Sequence, residues 1–319
     1  MNSDWQPAAS FEVLKRRSRL LSQIREFMVS HNILEVDTPI LSHAGNTDPN
    51  LHSMKFQVQS SSTSVADTVY LNTSPEFAMK RLLADGSGSI YQISRVFRDQ
   101  ELGKLHQPEF SMLEWYHVGF DHHALMDKLN DLLEIFGLSQ ASRVSYSEIF
   151  TRHVGINPHT SLNEALLVEA KSHGFESDGS NRSVLLDFLF NRLVAPHCGA
   201  STPEFIYDYP VSQAALSRIR HDTPPVAERF ELFIVGVEIA NGFHELIDAS
   251  EQRQRFDADN EHRRLLGISE IPVDENLIAA LAHGLPNCAG VAVGIERLLM
   301  AVLGYDHIDE IVSFTYNQA

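Results

Sequence analysis

Apolar residues recur at helical spacing from Phe11 to Asn32, where Leu14, Leu20, Leu21, Ile24, Phe27 and Met28 are interleaved with Lys15, Arg16, Arg17 and Arg19. This spacing predicts a long amphipathic helix after a short tail. It runs into ILEVDTPIL (33–41), whose β-branched residues predict a strand that ends at Pro39 or lies on a sheet edge. A helix feeding such a strand suits a subunit interface. Residues 46 to 68 mix turn formers with a weak strand, and their Ser/Thr run reads as a mobile loop. YLNTSPEFAMKRLLADG (70–86) predicts strand, turn at Pro75 and helix stopped by Gly86. IYQISRVFR and FSMLEWYHV alternate as strands and flank an eleven-residue loop. From about 121 to 200 the pattern is helical (HHALMDKLNDLLEIF, LNEALLVEAKSHG, VLLDFLFNRLV), read as an insertion and not as an independent domain. Strands return at EFIYDYP and RFELFIVGVEIANGFHEL, a charged helix fills 250–266, and GVAVGIERLLMAVLG is a strand entering a helix. The expected architecture is α+β, an antiparallel sheet flanked by helices, with residues 1–319 as a single domain.

The chain of 319 residues is 43% hydrophobic, enough for a full core. No stretch approaches a membrane span of about 20 apolar residues, and the start, MNSDWQPAASFEVLKRR, lacks the apolar run of a signal peptide, so a cytoplasmic location is expected. Cys198 and Cys288 have no spacing for a disulfide framework or zinc site and read as buried thiols. The net charge of −17 argues against a broad nucleic-acid footprint. The 16 histidines form no HExxH pair, and His122-His123 reads as a solvated helix start with no metal role.

Chemistry concentrates in FRDQELGKLHQPEFSMLEWY (97–116). Strand alternation places Phe110, Met112, Glu114 and Tyr116 on one face, while Arg98 ends the run Gln92, Ser94, Val96 on the incoming strand and the loop carries Lys104 and His106. Such cations can grip phosphates and an aromatic can stack on a base. A surface hairpin with exposed charges accounts for Lys104 but not for Glu114 and Tyr116 among hydrophobics. In ERFELFIVGVEIANGFHEL, a two-residue turn at Val235-Gly236 pairs Phe233 with Glu238 and sets Glu231 diagonally across on the same face, at roughly 7–8 Å. Two carboxylates there suit Mg²⁺ bound together with substrate phosphates. Glu76, Glu114 and Glu245, if they converge, make a pocket for a small cation. Arg297 falls in the first turn of the helix after GVAVG, where a helix N-terminus already favours anions.

With these pieces in order, the chain resembles a class II aminoacyl-tRNA synthetase core, most closely that of lysyl-tRNA synthetases. The helix and strand ending at Pro39 look like motif 1, the dimer element; FRDQELGKLHQPEFSMLEWY looks like motif 2 and GVAVGIERLLM like motif 3. The resemblance implies that Arg98 holds the ATP α-phosphate, that His106 and Arg297 hold the outer phosphates, and that Phe110 stacks on adenine. Asp99, Gln100, Gln107, Glu238, Ile239 and Gly294 complete the nucleotide set, with Gln100 where motif 2 usually has Glu. It assigns Glu231 and Glu238 to magnesium, Tyr116 and Glu245 to the lysine side-chain ammonium, and Ser74, Glu76, Glu114 and Asn241 to the rest of the amino-acid site.

Two departures narrow the resemblance. Motif 1 begins almost at the first residue, with no N-terminal OB-fold to read an anticodon, and Ala292 stands in GVAVG where lysyl-tRNA synthetases carry glycine. A methyl there would crowd an α-amino group and suit an amine one carbon further along. The chain is thus similar to the elongation factor P lysine ligases. That family implies ATP-dependent activation of (R)-β-lysine, or lysine, and its transfer to a lysine ε-amine of elongation factor P by a homodimer. The rivals are a free-standing tRNA aminoacylating enzyme, an inactive regulatory paralogue, and an aspartate-to-asparagine ligase, whose cationic side-chain pocket the glutamates oppose.

Overall fold

The computed structural model describes residues 5–59, 66–177 and 181–319; the Ser/Thr run read as a mobile loop lies outside them. In chain order the elements are α1 (Phe11–Ser30), β1 (Leu34–Glu35), β2 (Leu41–Ser42), β3 (Lys55–Gln59), β4 (Ala66–Leu71), α2 (Glu76–Ala84), β5 (Ile90–Phe97) and β6 (Glu109–Val118). Then come α3 (His122–Ile135), β7 (Ser142–Ser145), α4 (Tyr146–Val154), α5 (Asn163–Ser172), α6 (Arg182–Leu189), β8 (Glu204–Pro210), β9 (Ile219–Arg220), β10 (Val226–Ile234) and β11 (Val237–His244). The last are α7 (Ala249–Leu265), α8 (Glu275–Gly284), β12 (Cys288–Gly294) and α9 (Ile295–Leu303).

The chain divides into two compact units. The first comprises residues 1–119, 247–287 and 292–319; the second comprises 120–246 and 288–291.

In the first unit α1 starts at Ser10, whose hydroxyl accepts from the Val13 amide, and it buries Val13, Leu20, Ile24, Phe27 and Met28. The stretch 33–41 is not one strand. β1 pairs parallel with β5, β2 pairs antiparallel with β4, and the chain between them carries Pro39, which lacks an amide for a ladder. Thr38 marks the crossover by donating to Gln92 Oε1 at 2.9 Å in a buried site. β5 and β6 are antiparallel, with Ile90, Gln92, Ser94 and Val96 opposite Tyr116, Glu114, Met112 and Phe110. The expected antiparallel sheet is therefore mixed at this edge. α8, absent from the pattern reading, begins at Asp274, whose carboxylate accepts from the Leu277 amide at 3.0 Å. Asp followed by Glu ahead of LIAAL was its legible start signal.

One buried node ties three elements of this unit together. Glu296, at the start of α9, accepts from the Ser111 amide of β6 at 2.9 Å and from Arg17 of α1 at 3.1 Å, and Arg17 also donates to Ser111 Oγ at 2.6 Å.

In the second unit β11, β10 and β8 are antiparallel neighbours and β7 joins β8 in parallel. The helices read as an insertion share a core with these strands: Tyr146, Phe150, Leu185, Leu186 and Leu189 cluster with Ile206, Tyr209, Ala227 and Phe233. Cys198 lies in the same core, its thiol donating to the Val194 carbonyl and pushed up to about 12 by burial. Both cysteines are free and buried, as expected.

Candidate active site

Within the first unit, the β5–β6 pairing puts Phe110, Glu114 and Tyr116 on the face predicted from alternation. Arg98 follows β5 directly, with its guanidinium 5.2 Å from the centre of the Phe110 ring and 3.7 Å from Glu101. Its Nε is buried and has no hydrogen-bond partner among the described residues, which leaves a cationic donor unspent there. His106, from the loop, contacts the Arg297 guanidinium, which also reaches the Leu105 carbonyl at 3.4 Å. Arg98, His106 and Arg297 are the cations for which the sequence reading expected phosphate contacts. Asp99 and Gln100 are exposed in the loop, where Gln100 takes φ +66° and donates its amide to Asp99. Gln107 is buried and holds the C-terminal segment, donating to Asp309 at 2.7 Å and accepting from the Tyr316 amide at 3.1 Å. That position makes it an anchor for the loop. On β12, Ala292 and Gly294 retain partial exposure while Val291 and Val293 are buried.

The amino-acid residues of this unit are tightly wired. Ser74 donates to Glu114 at 2.7 Å and Tyr116 donates to its other oxygen at 2.6 Å. Burial, and then the charge of Glu76, push the Glu114 carboxyl up to about 7, against the pull of those two hydroxyls and of Lys80. Glu76, at the start of α2, accepts from Lys80 at 2.6 Å, and Lys80 is itself buried. The sequence reading passed over Lys80, although a Glu followed by Lys four residues later on a helix is a recognisable pair. Two of the three expected glutamates thus meet within this unit.

In the second unit the turn at Val235-Gly236 forms with both residues at positive φ (49° and 74°), and Phe233 pairs with Glu238 as predicted. A β-bulge follows, so that Leu232 faces Ala240 and Glu231 faces Asn241, where simple counting would have paired Glu231 with Ala240. The extra residue brings Glu238 and Asn241, three apart, to the face of Glu231, while Ile239 and Ala240 turn into the core. Asn241, Phe243 and Glu245 continue on that face by alternation. Gly242 is obligatory: a Cβ there would lie 2.4 Å from the Phe230 ring and 3.0 Å from the Gly290 carbonyl.

Burial pushes the Glu231 carboxyl up to about 7, Arg229 pulls it down and Glu238 adds to the rise. Two carboxyls on one face, with the Glu238 charge disfavouring ionisation of Glu231, form a donor set that a hard divalent cation suits. Arg229 was missed. It donates to Glu231 and to Asn241 Oδ1 (3.2 Å) and the Gln213 carbonyl (2.8 Å), and it stacks 4.6 Å from the Tyr209 ring. Its place two residues before Glu231 on the same strand face was the available signal. Glu245 is buried, with its backbone carbonyl bonded to Arg218 at 2.9 Å.

Residues 4–318 match the family model for tRNA synthetases class II (D, K and N). The chain belongs to this family. Its class II relatives include a protein of Vibrio cholerae, 48% identical across 100% of this chain and 99% of its own length, named elongation factor P–(R)-β-lysine ligase. Proteins of the same name from Vibrio atlanticus (47% identical, 99% of each chain) and Mannheimia succiniciproducens (44%, 99% of this chain and 98% of the other) match as completely. The α+β reading is accounted for by this family.

Proposed function

We propose that the chain is an AMP-forming ligase that activates (R)-β-lysine, or lysine, with ATP and joins it to the ε-amine of a lysine on elongation factor P. The observation that carries this reading is the near end-to-end match to relatives bearing that name. Residues 1–319 act as a single catalytic domain.

In the first step the amino-acid carboxylate oxygen attacks the ATP α-phosphorus, the bond from that phosphorus to the bridging oxygen breaks, and pyrophosphate leaves. Little covalent chemistry falls to the protein, so positioning and charge neutralisation dominate. Arg98 takes the α-phosphate, His106 and Arg297 the outer phosphates, and Phe110 stacks on the base, with Asp99, Gln100, Ile239 and Gly294 lining the nucleotide. Mg²⁺ held by Glu231 and Glu238 supplies further neutralisation of phosphate charge when bound. Glu245 and Tyr116 take the side-chain ammonium, and Ser74, Glu76, Glu114 and Asn241 orient the rest of the substrate. In the second step the neutral acceptor amine attacks the adenylate carbonyl and AMP leaves; the adenylate phosphate is the base at hand.

The activity is assigned to the cytoplasm and to a homodimer. Exposed Val29, Leu34 and Leu41 on the motif 1 segment support the latter as an apolar surface in want of cover. Among the described residues no helix is long and apolar enough to cross a membrane.

The deciding experiment is the intact mass of elongation factor P after incubation with the chain, ATP, Mg²⁺ and either lysine isomer, beside a tRNA charging assay. One added lysyl unit on the protein, without charged tRNA, is expected. Charged tRNA with unmodified protein overturns the assignment in favour of a tRNA aminoacylating enzyme, and no pyrophosphate exchange at all favours a regulatory paralogue.

A further inference from the structure

His122 does not behave as a solvated helix start. It is the first residue of α3, held there by the Asp121 cap, yet only 1% of it is exposed, and neither ring nitrogen has a well-formed hydrogen bond among the described residues. Asp208 Oδ1 of β8 lies 3.5 Å from its Nε2, at the limit of hydrogen-bond range. A buried imidazole left in this condition is unfavourable unless something binds it.

The same ring faces two more donors. Glu228 of β10 and His244, the last residue of β11, are joined at 2.6 Å, and one donor atom from each of His122, Glu228 and His244 lies within 4.8 Å of the others. Glu228 bonds to His244 and stands beside Arg220, whereas Arg229 bonds to Glu231 and Asn241, so this cluster is separate from the carboxylates assigned to magnesium.

We propose that His122, Glu228 and His244 form a binding site for a zinc-class divalent ion that clamps the first turn of α3 to the β10–β11 hairpin. Two imidazoles and a carboxylate are a borderline-soft donor set that suits Zn²⁺, Co²⁺ or Ni²⁺ far better than Mg²⁺. Tetrahedral coordination at about 2.0–2.1 Å brings donors to about 3.4 Å apart, so the cluster closes by modest side-chain rotation. Asp208, fixed by a two-pronged bond to Arg220 (2.6 and 3.2 Å), supplies the carboxylate that commonly orients a metal-binding imidazole. Arg220 also stands 3.6 Å from Glu228 and offsets one of the two carboxylate charges. Arg220 is shared with Asp222 as well, so the site keeps a net negative charge that favours a cation, while the imidazoles select its class.

The test uses the full chain, free of any affinity tag, stripped with chelator and titrated with Co²⁺ while its visible ligand-field absorption is followed. The expected result is one Co²⁺ per chain, undisturbed by excess Mg²⁺, with affinity reduced at least about tenfold in His122→Leu and in Glu228→Gln and unchanged in Glu231→Gln. Thermal unfolding reports whether each variant folds, and His122→Gln replaces any that does not. Zn²⁺ should raise the melting temperature of the parent chain and leave that of His122→Leu unmoved. Absence of a stoichiometric cobalt spectrum, its survival in folded His122→Leu or His122→Gln, or its loss in Glu231→Gln would overturn the proposal.

Discussion

Glu114 has a carboxyl raised to about 7 because it is buried beside Glu76, and only Tyr116, Ser74 and Lys80 oppose the rise. The folded chain therefore keeps a proton there that the unfolded chain releases near 4.5. Stability without ligand should fall as pH rises through that window, since the native state binds the extra proton. An ammonium ligand reverses the preference and expels the proton, so amino-acid affinity should rise with pH, by up to about tenfold per unit, until the carboxyl is ionised near 7. Calorimetry at pH 6.5 in buffers of different ionisation enthalpy checks this; heats that do not depend on the buffer would sink it. Glu245→Gln should lower amino-acid-dependent pyrophosphate exchange by about 100-fold or more while ATP binding is kept, the cost of removing one partner of a buried charge pair. Comparable exchange would remove Glu245 from the ammonium site. Ala292→Gly should move preference toward α-lysine by roughly 10-fold or more, the scale of one carbon in a pocket wall. Unchanged kcat/KM ratios for the two isomers would refute that.

Among the elements, the β10–β11 hairpin shows what the sequence could disclose. The turn, the Phe233–Glu238 pair and the shared face of Glu231 and Glu238 followed from alternation and turn chemistry alone. The bulge did not, because an extra residue leaves the alternation of apolar and polar positions locally ambiguous, and Ile239-Ala240 looks like ordinary core. Stretch 33–41 failed for a related reason: β-branched residues announce extended backbone but not which partner each half will choose. His122 was misread because a histidine pair at a helix start looks solvated until β8, β10 and β11 are folded around it. Val235 occupies φ +49° in the turn although it is β-branched and largely exposed. Val235→Asn should therefore stabilise by about 1 kcal/mol, raising the melting temperature on the order of 2 °C with activity unchanged; a lower melting temperature would contradict this. Glu296→Ala should cost about 3 kcal/mol by stranding Arg17 and the Ser111 amide, measurable by urea unfolding. A loss below about 1 kcal/mol would mean that the node is solvated in solution.

For the molecule as a whole, a net charge of −17 works against polyphosphate partners at long range. Binding of bulk tRNA at physiological salt should be weaker than about 10⁻⁴ M, the weak end of ordinary non-specific association. Filter retention of tRNA at micromolar concentrations would contradict this. Motif order, the cations of the 97–116 hairpin and the neighbouring Glu76 and Glu114 were legible because they depend on residue type and short spacing. The division into two compact units, and the core shared by α4 to α6 with β8 and β10, were not, since both depend on contacts between residues far apart in the chain.

The bulge at Ile239 also acts on the strand as a frameshift acts on a coding sequence. Upstream of it, even and odd positions have one meaning; downstream, the assignment is exchanged, and everything from Asn241 to Glu245 is read in the second frame. A one-residue deletion beside Ile239 should consequently be better tolerated than one placed on either side, because it removes the shift and leaves both groups on their common face. Inherited length changes in this hairpin have one cheap place to occur.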